Sequence, residues 1–205
     1  MNTTFYALAT TVLLGACASA SAASTVDLTV KGVITPNACT PSLSGNGTVD
    51  YGKISAKDLN LTSTTVLPAA TLQMTVLCDG STLFAMKGTD NRAGSSISGD
   101  GATYGLGLIN GTQKLGDYAL LIDNAVADAA AVTVLESDDK VSWMPLDDGM
   151  LAGFGNNASG AWAPIPIQQL TSDVHVRGFI ARADSLDLTD EQPIDGSATL
   201  EIVYL

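Results

Sequence analysis

The stretch GSATLEIVYL (residues 196–205) decides how this 205-residue chain folds. Every second residue from Ala198 to Tyr204 falls on one face of an extended strand, and Thr199 and Glu201 fall on the other. The alternation continues almost to the last residue of the sequence, with no polar tail and no return strand. A terminal segment usually frays unless something holds it. The stretch therefore raises the question of which strand pairs with it.

The rest of the chain has the pattern of an all-β protein. Hydrophobic residues make up 46% of the sequence and aromatic residues only 5%, while short alternating runs are separated by turn signals rich in Gly, Asn and Asp. This spacing predicts an all-β sandwich or barrel. Before the final strand, the predicted strands are Val26–Ile34, Thr48–Tyr51, Leu72–Leu77, Leu83–Lys87, Tyr104–Ile109, Tyr118–Ile122, Val132–Leu135, Val141–Trp143, Ile165–Leu170 and Val174–Ala183.

The charge balance argues against nucleic acid as a partner. The formal net charge is −12 and the pI is near 4.1, whereas phosphate binding requires clustered Lys and Arg. The acidic residues are scattered along the chain, which is typical of a solvated surface. The segment 88–101 is rich in glycine and predicts a long loop. A weak helical tendency is confined to Ala125–Ala131.

The first 22 residues have the pattern of a secretion signal. An apolar run from Phe5 to Ala16 is followed by the small residues Ala20-Ser21-Ala22, which suit a cleavage site. We therefore expect an exported protein whose mature chain begins near Ala23. An alternative remains open, because the residues before Cys17 resemble a lipoprotein cleavage box and would leave that cysteine lipidated.

Removal of the signal leaves two cysteines, Cys39 and Cys78. An exported chain with two cysteines most simply forms one structural disulfide. No CxxC motif is present, so a redox or zinc role is not predicted.

The sequence offers no motif for catalysis, a metal or a cofactor. The single histidine, His175, lies between Val174 and Val176 in a predicted strand and is expected to point outward. No G-x-S-x-G, phosphate loop, GxGxxG or HExxH occurs. We expect no enzyme activity, no bound metal and no cofactor.

The two ends of the mature chain resemble one family. VKGVITPNACTPSL (30–43), VDYGKIS (49–55) and a second cysteine after a strand resemble the amino-terminal half of chaperone–usher pilus subunits. VHVRGFIARAD (174–184) followed by GSATLEIVYL resembles their last two strands, including the penultimate Tyr204. More narrowly, the chain resembles a divergent group of proteobacterial fimbrial-like exported proteins.

The resemblance implies an incomplete immunoglobulin-like sandwich that lacks its final strand. A periplasmic chaperone and then the next subunit would supply that strand, an instance of strand addition. Residues 23–36 would be the amino-terminal donor extension and residues 37–205 the pilin-like domain. Leu200, Ile202 and Tyr204 would line the receiving groove, and Val26, Leu28 and Val30 would fill a neighbour's groove.

The implied function is that of a structural subunit of a surface fimbria that supports cell adhesion. Its partners would be a periplasmic chaperone, an outer-membrane usher and neighbouring subunits, and its final location would be the cell surface. Two alternatives stay open at this point: a carbohydrate-binding adhesin or tip module, and a periplasmic sandwich with an unrelated role.

Overall fold

A computed structural model describes residues 28–32, 38–145 and 151–205. The predicted secretion signal, Cys17 and Val26 lie outside these residues. In residues 28–32 the backbone has no strand pattern, and Leu28 and Val30 are 88% and 86% exposed. Residues 35–205 form one compact domain, to which all the described strands belong.

The described part of this domain is all β apart from three single-turn 3-10 helices at Ser44–Gly47, Ala56–Asp58 and Ala183–Ser185. No described helix has the length and apolar character needed to cross a membrane. The strands are β1 (Cys39–Leu43), β2 (Thr65–Val66), β3 (Ala70–Thr82), β4 (Phe84–Asp90), β5 (Tyr104–Gly105), β6 (Leu108–Ile109), β7 (Gln113–Lys114), β8 (Gly116–Ala127), β9 (Ala130–Ala131), β10 (Thr133–Glu136), β11 (Met144–Pro145), β12 (Leu151–Asn156), β13 (Ala163–Pro164), β14 (Ile167–Ile180) and β15 (Ala198–Tyr204).

These strands form two antiparallel sheets packed face to face, a β-sandwich. The first sheet has the order β1-β3-β14-β8-β5, with β2 added to β14 and β9 added to β8. The second has the order β11-β10-β12-β4-β15, with β13 added to β12. A small separate ladder joins β6 and β7 around a turn at Asn110 and Gly111. The predicted all-β fold is confirmed.

Alternation along the long strands explains the sandwich. In β14 the buried residues Val174 and Val176 alternate with the partly or fully exposed Asp173, His175 and Arg177, so one face of the first sheet enters the core and the other meets solvent. The core between the sheets joins Met74, Val76 and Val174 of the first sheet to Phe84, Met86 and Phe154 of the second.

Three predicted strands differ from the structure. Thr48–Tyr51 and Val141–Trp143 are not strands, although Val49 and Tyr51 pack on the core and β11 begins directly after Trp143. The described part of Val26–Ile34, residues 28–32, is not a strand either. The weak helical tendency of Ala125–Ala131 produces no helix, and the segment forms the end of β8, a turn and β9. A short apolar pattern thus does not identify its hydrogen-bond partners.

Candidate functional site

The terminal strand β15 is the edge of the second sheet. It pairs with β4 from Ala198, opposite Asp90, to Tyr204, opposite Phe84. Within the described part of the chain, no strand pairs with its other edge. An edge strand presents a row of backbone N–H and C=O groups that can pair with another strand.

The first strand β1 is the edge of the other sheet, on the same side of the sandwich. It pairs only with β3 among the described strands. Between β1 and β15 runs an open depression, which we call the edge groove. One wall comes from residues 41–59, and the other comes from β15 and the preceding residues 188–197.

The edge groove consists of three depressions in a row, of about 360, 270 and 640 Å³. The first two share Leu43 and Leu200, and the last two share Val49, Tyr51 and Ile194. They therefore form one continuous channel along the side of the sandwich. The floor of its first two parts is formed by Leu72, Met74, Met86, Leu120, Val174 and Val176.

The floor of the edge groove is the hydrophobic core itself. Met74, Met86 and Val174 are at most 2% exposed, whereas Leu72 and Leu120 are only partly buried and each packs against both core clusters of the domain. The core is thus left partly open along the line where β1 and β15 fail to meet. An apolar side chain placed there would be transferred from water to a hydrophobic surface.

The disulfide fixes the β1 wall. Cys39 and Cys78 lie directly opposite each other in β1 and β3, and their sulfur atoms are bonded at 2.03 Å. The predicted disulfide is confirmed. Bonds of this kind persist mainly in exported proteins.

At the disulfide end the two walls approach each other. The Cys39 N–H donates a hydrogen bond to the Tyr204 hydroxyl at 3.0 Å. This bond links the first residue of β1 to the last residue of β15. At the opposite end an exposed ion pair joins Lys53 to Glu191 across the groove at 3.2 Å. Surface pairs of this type contribute little to stability, so this end can open at small cost.

The third depression of the edge groove is lined by several charged residues, among them Asp50, Lys53, Asp190 and Glu191. Burial raises the pKa of the Tyr51 hydroxyl, and this hydroxyl has no hydrogen-bond partner among the described residues. Burial also raises the pKa of Tyr118, whose ring stacks on Tyr104 with centroids 5.3 Å apart. Tyrosine remains neutral at physiological pH in these surroundings, so these rings act as apolar surface with one hydroxyl each.

The structure brings together some of the predicted groove residues. Leu200 lines the first two depressions, and Ile202 packs, partly buried, against the core below the same strand. Tyr204 is 40% exposed and lies at the closed end of the groove. Of the predicted donor residues, Leu28 and Val30 are exposed, and Val26 lies outside the described residues.

Sequence reasoning missed the opposite wall and the floor. Leu43 and Val49 belong to the wall, and the floor residue Leu120 belongs to β8. The signal for the wall was available, since Val49 and Tyr51 alternate with polar residues although they form no strand. The floor could be recognised as core, but its position beneath β15 depends on how the two sheets pack.

Comparisons with known proteins give distant relatives. Residues 28–118 match the family described as "Protein of unknown function (DUF1120)". The chain is 27% identical to "Uncharacterized protein YhcF" of Escherichia coli (strain K12), over 91% of this chain and 93% of the relative. It is 24% identical to "Protein GltF" of the same organism, over 92% of this chain and 91% of the relative. The chain is thus similar to these two proteins along nearly its whole length.

Proposed function

We propose that this protein is a structural subunit of a chaperone–usher surface fimbria, whose edge groove receives a strand from another chain. The observation that carries the proposal is that β1 and β15, each paired on one edge only among the described strands, lie on the two sides of a hydrophobic floor that is partly open at Leu72 and Leu120. In strand addition, main-chain hydrogen bonds to a free strand edge supply affinity, and pockets for alternate side chains supply specificity. The edges of β1 and β15 and the floor between them offer both.

The proposed donor segment, Ser24–Lys31, is about as long as the strand beside which it would lie. Eight extended residues span about 26 Å, which is slightly more than the seven residues of β15. Val26, Leu28 and Val30 would project from one face at intervals of about 6.6 Å. Such side chains would suit the first two depressions, whose floor is hydrophobic.

The exposure of the donor side chains favours insertion into a partner. Among the large hydrophobic side chains of the described residues, Leu28 and Val30 are the most exposed, ahead of Val141. Burial of such a side chain is worth about 1.5–3 kcal/mol. A donor segment and an open groove in one chain therefore favour assembly of successive chains.

The remaining partners are those that the resemblance to chaperone–usher pilus subunits implies. An open hydrophobic groove is an aggregation hazard in a newly exported chain, so a periplasmic chaperone strand would occupy it before an outer-membrane usher exchanges it for a donor segment. The lining of the groove provides apolar surface and backbone groups, which suit binding. We accordingly propose a role in assembly and adhesion at the cell surface without enzyme activity.

The proposal is tested by supplying the donor strand as a peptide. A variant that begins at Asn37 lacks its own donor segment, and a synthetic peptide of residues 23–36 is added to it. Insertion of three apolar side chains should raise the melting temperature by about 10 °C or more. The melting temperature is followed by circular dichroism as a function of peptide concentration.

The matched control is the same peptide with Val26, Leu28 and Val30 replaced by serine, which retains the backbone hydrogen bonds and loses the apolar contacts. It should stabilise the domain far less. Equal melting temperatures with the natural peptide, the serine peptide and no peptide would contradict strand insertion.

A further inference from the structure

A second cluster of chemically active side chains lies on the opposite face of the first sheet from the core. Asp173 and His175 point outward from β14, because their neighbours Val174 and Val176 point inward to the groove floor. Asp123 of the adjacent strand β8 lies directly opposite Asp173. We call Asp123, Asp173 and His175 the outer-face cluster.

The distances within the outer-face cluster are those of a potential ligand set. One ligand atom of each residue lies within 4.8 Å of the other two. His175 Nε2 is 3.0 Å from Asp123 Oδ1. The side chains of His175 and Asp123 are 30% and 47% exposed, so an ion can reach them from solvent and the side chains can adjust around it.

Two neighbouring residues orient the cluster. Thr71 Oγ1 lies 2.8 Å from His175 Nδ1, and the Asn124 side-chain N–H donates to Asp173 Oδ2 at 2.9 Å. When Nδ1–H donates to Thr71, the lone pair of Nε2 faces Asp123 Oδ1 and can bind a cation. A ligand histidine is commonly held in this way by a hydrogen bond at its second nitrogen.

A β-bulge builds this arrangement. The pairing of β14 with β8 shifts register between Thr171 and Asp173, and Asn124 adopts a left-handed conformation with φ of 48°. The extra residue places Asp123 opposite Asp173 and turns the Asn124 amide toward the same carboxylate. Bulges of this kind often redirect side chains beside functional sites.

We propose that the outer-face cluster binds one divalent transition-metal ion of the zinc class. Two carboxylates this close repel each other, and a divalent cation between them with a neutral imidazole gives a site of zero net charge. An imidazole ligand favours Zn²⁺ and related ions over Mg²⁺ or Ca²⁺, which prefer oxygen ligands alone. Three protein ligands leave a further position for water or for a group from another molecule.

Zinc binding to the mature protein, prepared without a polyhistidine tag, tests the proposal. Titration calorimetry at pH 7.5 should show one equivalent of Zn²⁺. His175 is the single histidine of the sequence. The nitrogen NMR signals of its ring should therefore shift on addition of one equivalent of Zn²⁺, with Nε2 shifting most.

Matched variants separate this site from other acidic residues. His175→Ala should lower the affinity for Zn²⁺ at least about tenfold, and Thr71→Val should lower it about 10- to 100-fold by releasing the ring. Asp190→Asn removes an exposed carboxylate outside the cluster and should leave the affinity unchanged. Circular dichroism and the melting temperature of each variant without zinc report whether it has folded.

Two outcomes would overturn the proposal. One is an unshifted His175 ring at a Zn²⁺ concentration that saturates the calorimetric signal, which would mean that zinc binds elsewhere. The other is an affinity in folded His175→Ala equal to that of the natural protein, which would leave His175 and Asp123 as a simple surface pair. Neither outcome bears on the edge groove, which lies on the other side of the sheet.

Discussion

At the scale of single residues, Leu200 connects the terminal strand to the edge groove. Its side chain packs against the main core cluster and also lines the first two depressions. The next residue, Glu201, points to the opposite face and forms an exposed pair with Lys87 at 3.7 Å. A substitution at Leu200 therefore tests a contact in the groove, whereas a substitution at Glu201 tests a contact on the outer surface.

Leu200→Ala should weaken binding of the 23–36 peptide by about tenfold or more, since loss of a buried leucine side chain costs at least 1.4 kcal/mol. Glu201→Ala should change the affinity less than about twofold, because exposed pairs are weak. Peptide affinity is measured by fluorescence anisotropy with a labelled peptide. Equal affinities of the two variants would mean that Leu200 does not contact the bound peptide.

Gly88 in β4 lies opposite Leu200. The Tyr104 side chain occupies the space that a side chain at position 88 would need. An added Cβ would lie 1.8 Å from the Tyr104 hydroxyl oxygen, and this ring is buried and stacked on Tyr118. Gly88→Ala should reduce the free energy of unfolding by about 1–3 kcal/mol, as measured by urea denaturation.

The clash can be relieved at Tyr104. Gly88→Ala combined with Tyr104→Phe should recover part of the lost stability, because the oxygen that meets the new Cβ is gone. Gly32→Ala serves as the control, since a Cβ there meets no atom within 4 Å. A Gly88→Ala variant as stable as the natural protein would show that Tyr104 is not held in place.

Asp139 organises the turn between β10 and β11. Its carboxylate accepts hydrogen bonds from the backbone N–H groups of Ser142 at 2.7 Å and Val141 at 2.8 Å. These bonds, with the Ser142 N–H first, lower the pKa of Asp139 from 3.8 to about 2. The resulting stabilisation is complete above pH 4 and is lost as the pH falls toward 2.

An NMR titration of the Asp139 carboxyl carbon should therefore have its midpoint near pH 2. Pro145, at the far side of the same hairpin, keeps its pairing with Leu135 and can be used to monitor that the hairpin is intact. A midpoint at the ordinary aspartate value of 3.8 would mean that the turn does not hold the carboxylate.

At the scale of elements, β1 is stabilised chiefly by the disulfide and by its single neighbour β3. Its five residues pair with Met74 to Cys78, and the disulfide joins its first residue to the last of these. A short edge strand with one neighbour makes few contacts of its own. The disulfide therefore keeps one wall of the edge groove in place.

Reduction of the disulfide should lower the free energy of unfolding by about 4 kcal/mol in the chain-entropy account, because the two cysteines are 39 residues apart. The same chain is unfolded with urea in its oxidised and reduced forms. Hydrogen exchange should increase most in β1. A uniform increase throughout the sheet, or none, would contradict a local role of the bond.

The long strands could be predicted from the sequence because each has a buried and an exposed face. The alternating Leu72–Leu77 lies within β3, and the prediction is only too short. Ile165–Leu170 and Val174–Ala183 are largely parts of one strand, β14, whose ladders shift register at two bulges. Between Leu170 and Val174 the inward position is occupied by Ser172, which is buried but polar, so a pattern of hydrophobic residues divides the strand there.

At the scale of the whole molecule, the edge groove could be predicted only in part. Leu200, which lines two of the depressions, can be predicted because the alternation of the terminal strand is visible in the sequence. The opposite wall at Val49 and the floor at Leu120 depend on long-range packing between two sheets. The outer-face cluster was also missed, because its three residues come together only through the register of β8 and β14.

The central claim is that the edge groove holds a strand from another chain, and a photoreactive residue in the groove wall tests it most directly. Asn46 lines the first depression and is exposed, so benzoylphenylalanine at this position faces any inserted strand. The same residue in place of Arg177, exposed on the outer face, is the control. Light and heavy (nitrogen-15) preparations of the mature protein are mixed, unfolded, refolded together and irradiated.

Mass spectrometry of the cross-linked peptides then gives the answer. The account predicts adducts between position 46 and residues 23–36 in which the two peptides carry different isotopes, and no such adducts from position 177. Adducts in which both peptides always come from one preparation would contradict it, because the strand would then belong to the same chain. Equal adducts from both positions would contradict it as well, because the groove would have no preference for the segment.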